Sequence, residues 1–158
     1  NPVNAQFRLV KSGSQNGVKY SYYEGEDWYF IPVLDNLKPK KSGSKYEFRI
    51  DDINDRGPQF VIRFSSYVKV EKDGKYKFYT NSDDGSKLYI NDELVVDNDG
   101  DHGTIERAGT VELKAGFHKI VVDYLNAGGG AWLDVSYKIP GKPKQIIPAN
   151  KLFLEKQN

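Results

Sequence analysis

The chain has 158 residues, 23 basic against 22 acidic, with 13% aromatics and neither cysteine nor methionine. That length suits one domain with a real core. The balanced charge argues against nucleic acid as the default partner, since phosphate binding needs a basic surface, and the lack of cysteine excludes a disulfide framework or a thiolate metal site. No apolar run approaches the ~20 residues of a membrane-spanning helix, so no membrane insertion is expected. With not even an initiator methionine, the chain is expected to be a piece of something longer, monomeric when isolated.

Residues 1–16 are polar and read as a leading segment, with one domain expected over 17–158. Lys38, Lys40, Lys41 and Lys45 fall in a Pro/Gly/Ser-rich stretch and read as solvated linker. From there almost every segment alternates with period two. Phe60, Ile62 and Phe64 share a face, as do Tyr76, Phe78 and Thr80, and Leu88 with Ile90. Further on, Val111 pairs with Leu113, Ile120 with Val122 and Tyr124, and Leu133 with Val135 and Tyr137. One buried and one wet face is the mark of antiparallel sheets. Asp73-Gly74, Asn91-Asp92 and Ala115-Gly116 stand at hairpin spacing. The pattern predicts an all-β, antiparallel sandwich or barrel. Residues 138–148 carry three prolines and read as a packed-down tail, and the best short helical candidate is Pro148 to Leu152.

Three loops carry candidate chemistry. Asp83-Asp84-Gly85 sets two carboxylates side by side. Neighbours on a regular strand point to opposite faces, so two carboxylates share a ligand only where the backbone bends or is cis, and they then repel. A hard divalent cation offsets that repulsion, and oxygen-only ligands favour Ca²⁺. An Asx-type turn explains the same residues without any ligand. The second loop, Asn126 to Ala131, offers an amide oxygen and glycine carbonyls, or is simply a flexible hairpin. The third, Asp97 to Gly103, begins like an EF-hand, but position twelve is Ala108 where a glutamate is needed. It reads as a ligand-groove rim, with Asp101 and His102 offering hydrogen bonds. Aromatic residues near these loops, Tyr89, Tyr124, Trp132, Tyr22, Tyr23, Trp28 and Tyr29, suit either the core or the apolar face of a sugar. His118 reads as structural. No triad or zinc spacing is present.

The run GKYKFYTNSDDGSKLYIN at residues 74–91 closely resembles the PA14 domain. The resemblance continues through Val95 to Asn98, Asp101-His102-Gly103, Gly109 to His118, Asp123-Tyr124 and Gly128 to Gly130. It covers about residues 17–154, with Tyr20–Gly25 like the family's opening strand and Gln145–Phe153 like its closing segment. It implies a PA14-type β-sandwich and a module of a larger secreted or cell-surface protein, bacterial extracellular or periplasmic. In the family's sugar-binding members two successive aspartates joined by a cis peptide hold a Ca²⁺ that ligates sugar hydroxyls. The resemblance therefore implies Asp83, Asp84, Asn126, Gly128 and Gly130 as metal-site residues. Asp101, His102, Trp132 and Tyr89 are the ligand-contact candidates. The plain glycine run looks more like the modules attached to glycoside hydrolases than like yeast adhesins. The reading is a non-catalytic carbohydrate-binding module whose partners are a glycan or polysaccharide and neighbouring domains of the same polypeptide. The alternative is an accessory module that shapes a catalytic domain's site without metal or free sugar.

Overall fold

The computed structural model describes residues 15–51 and 59–156. Its strands are β1 (Val18–Gly25), β2 (Lys41–Lys45), β3 (Gln59–Val70), β4 (Gly74–Asp83), β5 (Ser86–Ile90) and β6 (Glu93–Asn98). Next come β7 (Ile105–Leu113), β8 (Gly116–Asn126), β9 (Trp132–Lys138), β10 (Gln145–Ile146) and β11 (Leu152–Phe153). The larger sheet has the order β2-β1-β3-β8-β5-β6, with β11 added on β3. The smaller has the order β10-β9-β4-β7. All of these pairings are antiparallel, as the alternation predicts.

The core fills the space between the sheets. Ile62, Phe64, Leu88, Ile120, Val122 and Tyr124 from the larger sheet meet Tyr76, Phe78, Val135 and Tyr137 from the smaller. The expectation of one wet face fails on the larger sheet. Val61, Leu125 and Tyr23 are buried on its outer side under Leu34, Trp28 and Ile31. The chain after β1 lies back across that face, because three off-phase apolar side chains there have area to remove from water. Tyr22 and Tyr23 are thus core residues, while Tyr29 is half exposed.

The lysine-rich stretch is no linker. Lys41–Lys45 is an edge strand on β1, Lys40 pairs with Glu24 at 2.6 Å, and Lys41 and Lys45 sit over the rings of Tyr22 and Tyr20. Lysines on an edge discourage further strand pairing. Near the C-terminus, the expected tail includes the two-residue β10, and Ala149–Lys151 forms a 3-10 turn. Among the described residues the first pairing is at Asn16, which bridges to Phe153; residues 1–14 of the expected leading segment lie outside the described residues.

Of the three expected hairpins only Asn91-Asp92 is one. Both residues have positive φ, 50° and 70°, and join the paired β5 and β6, as a tight hairpin requires. Asp73-Gly74 and Ala115-Gly116 instead carry the chain from one sheet to the other. Asp73 Oδ1 accepts from Ala115 N–H at 2.8 Å, tying these crossings together. Turn-forming dipeptides mark a reversal, not which strands then pair. The opposite end of the sandwich has three crossings of its own: β4 to β5 through Asp84-Gly85, β6 to β7 through residues 99–104, and β8 to β9 through residues 127–131.

Candidate functional site

Those three crossings are the three loops the sequence singled out, and they meet. The Asp83–Asp84 peptide is cis. Asp84 is 4% exposed. Its Oδ2 accepts from Ala127 N–H at 2.8 Å, which ties it to the glycine-rich loop. Asp84 N–H donates to Leu125 O, and Leu125 N–H to Gly85 O, extending the β8 edge around the corner. The Tyr124 hydroxyl donates to Asp83 O. Asn126 is buried, and its Oδ1 accepts from Gly128 N–H at 2.7 Å; an amide oxygen has a second lone pair. The backbone at Gly130 passes close to the Asp83 carboxylate, whose Oδ2 would stand 3.8 Å from a Cβ placed there.

Gly85 is where the third loop docks. A Cβ on it would lie 2.7 Å from Gly100 N and 2.8 Å from Gly100 O, so only glycine lets the two backbones approach so closely. Asp101, next to Gly100 in that loop, is thereby one of the acids that act on Asp84. Burial pushes the Asp84 carboxyl up to about 6; the Ala127 N–H opposes the shift, and the negative charges of Asp83 and Asp101 add to it. Among the described residues no Lys, Arg or His lies within ion-pair distance of Asp83, Asp84 or Asp101. Among the described residues the corner is a concentration of anionic oxygen without a counter-cation. Among the described residues no three His, Cys, Asp or Glu side chains converge as a metal cluster. A cation held here therefore needs amide and backbone oxygens besides the carboxylates, a donor set that suits Ca²⁺.

The remaining candidates divide. Asp101 is closer to the aspartate pair than a rim position implies. His102 turns both ring nitrogens to its own loop, Nδ1 to Gly103 O at 2.7 Å and Nε2 to Asn98 O at 2.8 Å, so it braces the crossing from within. Trp132 is the cross-strand neighbour of Asp83 and is 52% exposed; its Nε1–H donates to Asp134 Oδ2 at 3.0 Å. Tyr89 stands apart. It lies on the outer face of the larger sheet, with Lys87, Asp123, Arg63 and Asp97 as its charged neighbours. Structural roles hold for His118, which contacts Asn91 and Lys114 O.

Two supports were not singled out in the sequence. Asp99 Oδ1 accepts from the N–H groups of Ile31 and Gly100, which fastens the third loop to the segment after β1. Beneath the corner a buried hydroxyl chain, Ser82 to Ser86 to Thr80, is joined by Asn98 Nδ2. The visible signal was small hydroxyl residues on the inward, otherwise apolar face of β4, where polar groups persist only if satisfied.

Two antiparallel sheets, with three crossing loops converging on an acidic corner, define an all-β sandwich domain. The PA14 domain family model matches residues 14–151, and the chain belongs to that family. It is 28% identical over 145 residues to the anti-sigma-I factor RsgI3 of Acetivibrio thermocellus, covering 89% of this chain and 22% of that protein. It is 37% identical over 167 residues to a probable beta-glucosidase I of Aspergillus clavatus, covering 78% of this chain and 19% of that protein. The chain thus spans about a fifth of the length of these curated relatives. Among solved structures, a PA14 sugar-binding domain from an RTX adhesin superposes with a TM-score of 0.72 at 18% identity, covering 89% of this chain and 99% of that one. The last shows a shared fold. Among the described residues no helix is long and apolar enough to cross a membrane.

Proposed function

We propose that the chain is a non-catalytic carbohydrate-binding module of a larger secreted or cell-surface protein, with a glycoside hydrolase as the parent, and that it takes glycan hydroxyls at a Ca²⁺ held in the three-loop corner. One observation carries the reading: the buried Asp84 carboxylate faces two further acids and, among the described residues, no cation. Asp83, Asp84 and Asn126 would hold the ion by their side chains, and the 128–130 stretch by its carbonyls. When bound, it supplies a Lewis-acidic centre for paired hydroxyls. Gly85 seats Asp101 beside it, and Ala127 N–H orients Asp84. The neighbouring relatives, a sugar-binding PA14 domain and a probable beta-glucosidase, support the glycan class.

Calorimetry against a glycan panel, with calcium and with chelator, tests the proposal. Binding should vanish on chelation; glycan binding indifferent to chelator would contradict it.

A second reading is favoured by the exposed Tyr29, Phe30 and Val33, at 51%, 68% and 76%. Phe30 reaches the third loop at Gly100. This apolar strip suits packing on a neighbouring domain, with the corner as a shape element. Calcium that leaves the melting temperature unchanged would favour it.

A further inference from the structure

Beside the acidic corner the sheets part into a cleft of about 920 Å³. It begins at Asn126, Gly128 and Trp132 and runs along β9 to Ile146, walled opposite by residues 47–51. We infer that this cleft is an extended subsite for an uncharged, linear oligosaccharide, so that the corner takes a chain and not a single terminal sugar. The inference rests on the proposed function above and names its ligand class.

Four observations carry it. The cleft is continuous with the corner, since Asn126, Gly128 and Gly129 belong to both. Its size lies near the top of the ~300–1,000 Å³ range of ligand sites, well beyond one pyranose ring. Ile146 pairs with Ser136, four residues beyond Trp132, so the cleft runs about 13 Å along the strand at ~3.3 Å per residue. β10 covers only Ser136 and Tyr137, and Ile147 N–H bonds to Val135 O. The edge of β9 from Trp132 to Asp134 therefore has no strand partner among the described residues on that side and faces the cleft.

The lining then selects the chemistry. Trp132 offers an exposed ring whose orientation is fixed through Asp134, a stacking surface for the apolar face of a sugar. Glu47, Asp51 and Asp134 supply hydroxyl acceptors, and Arg49, paired with Glu47 at 3.4 Å, supplies donors. Among the described lining residues, three carboxylates against one guanidinium disfavour an anionic glycan, which would meet like charge. Between them Ile50, which is partly buried, and Ile146, at 51% exposed, offer apolar surface for further rings.

The test uses ladders of cello-, laminari-, xylo- and manno-oligosaccharides, from monosaccharide to hexasaccharide, titrated calorimetrically into calcium-loaded protein. Calcium affinity is measured separately in each variant. For the ladder that binds, affinity should rise roughly tenfold from monosaccharide to tetrasaccharide and then level off, a gain worth about 1.4 kcal/mol. Ile146→Ser, at an exposed position remote from the corner, should remove most of the gain while calcium affinity stays at the wild-type value. Trp132→Ala should weaken every oligosaccharide. Calcium and monosaccharide binding without any dependence on chain length overturns the inference, as does a gain that survives Ile146→Ser. Concentration-dependent dimerisation abolished by Ile146→Ser also overturns it, assigning the cleft to a second copy. Loss of calcium binding altogether instead removes the proposed function, and a chain-length gain that persists in chelator supports the cleft alone.

Discussion

Two aspartates in this fold are equally hidden from water and differ in every other respect. Asp123, in mid-β8, is 1% exposed, and Asp84, at the corner, is 4% exposed. Asp123 faces Arg63 across the β3–β8 pair, with two parallel bonds at 2.8 and 2.9 Å. Burial and the paired Asp123 act in opposite senses on Arg63, and the hydrogen bond to Asp123 wins, holding its guanidinium above the ordinary value. Asp84 faces Asp83 and Asp101 instead. A buried charge is tolerated when the chain supplies its partner. Asp84 has one donor, Ala127 N–H, and otherwise more negative charge, so it either keeps its proton or, in the proposed function, takes a cation from outside. The first acid belongs to the architecture of the sheet, and the second is the one the proposed function gives to a site.

The comparison can be broken at either aspartate. Arg63→Ala strands the Asp123 carboxylate, and chemical denaturation should show a loss of about 3 kcal/mol, the low end for a severed buried pair because Arg63 is partly exposed. A loss under about 1 kcal/mol would mean that Asp123 is not held as described. At the corner, calcium at a hundredfold excess over its dissociation constant should add about 2.7 kcal/mol, read as a melting temperature higher by roughly 5–10 °C. Asp84→Asn should abolish that increment.

A smaller effect concerns pH. An unfolded aspartate releases its proton near ~3.9, whereas Asp84 holds its proton up to about 6. Between those values the folded state binds the extra proton. Stability of the metal-free protein should therefore fall as pH rises from ~4 to ~6, by about 2 kcal/mol from this group. Asp84→Asn should flatten the slope, and saturating calcium should oppose it, because the ion needs deprotonated carboxylates. The smallest effect is expected at Tyr89. Its place on the outer face of the larger sheet predicts that Tyr89→Phe changes glycan affinity by less than about 0.5 kcal/mol. A larger loss would bring that face into the site.

Much of this was legible in the chain. Period two located the long strands, and the alternation of Tyr89 with Leu88 and Ile90 already put it on the face away from the core. Off-phase Val61 and Leu125 were visible too, but not the segment that covers them, because that contact is made between residues distant in sequence. The β2 strand was hidden by its Lys/Ser/Gly composition, which local preference disfavours and pairing with β1 overrides. Asp73-Gly74 and Ala115-Gly116 have the same turn chemistry whether the next strand pairs or crosses. Turn chemistry alone therefore could not say which loops share an end of the sandwich. The corner shows the same division. Asp83, Asp84 and Asn126 stood out as residue types, and the family resemblance implied that they meet. The approach of Asp101 depends on Gly85 packing against Gly100, which no local pattern announces.

The most direct measurement is a calorimetric titration of Ca²⁺ into the wild-type domain and into Asp84→Asn at neutral pH. The account predicts saturable binding of one ion per chain in the wild type and none in the variant. Absence of binding to the wild type, or equal binding to both, would contradict it.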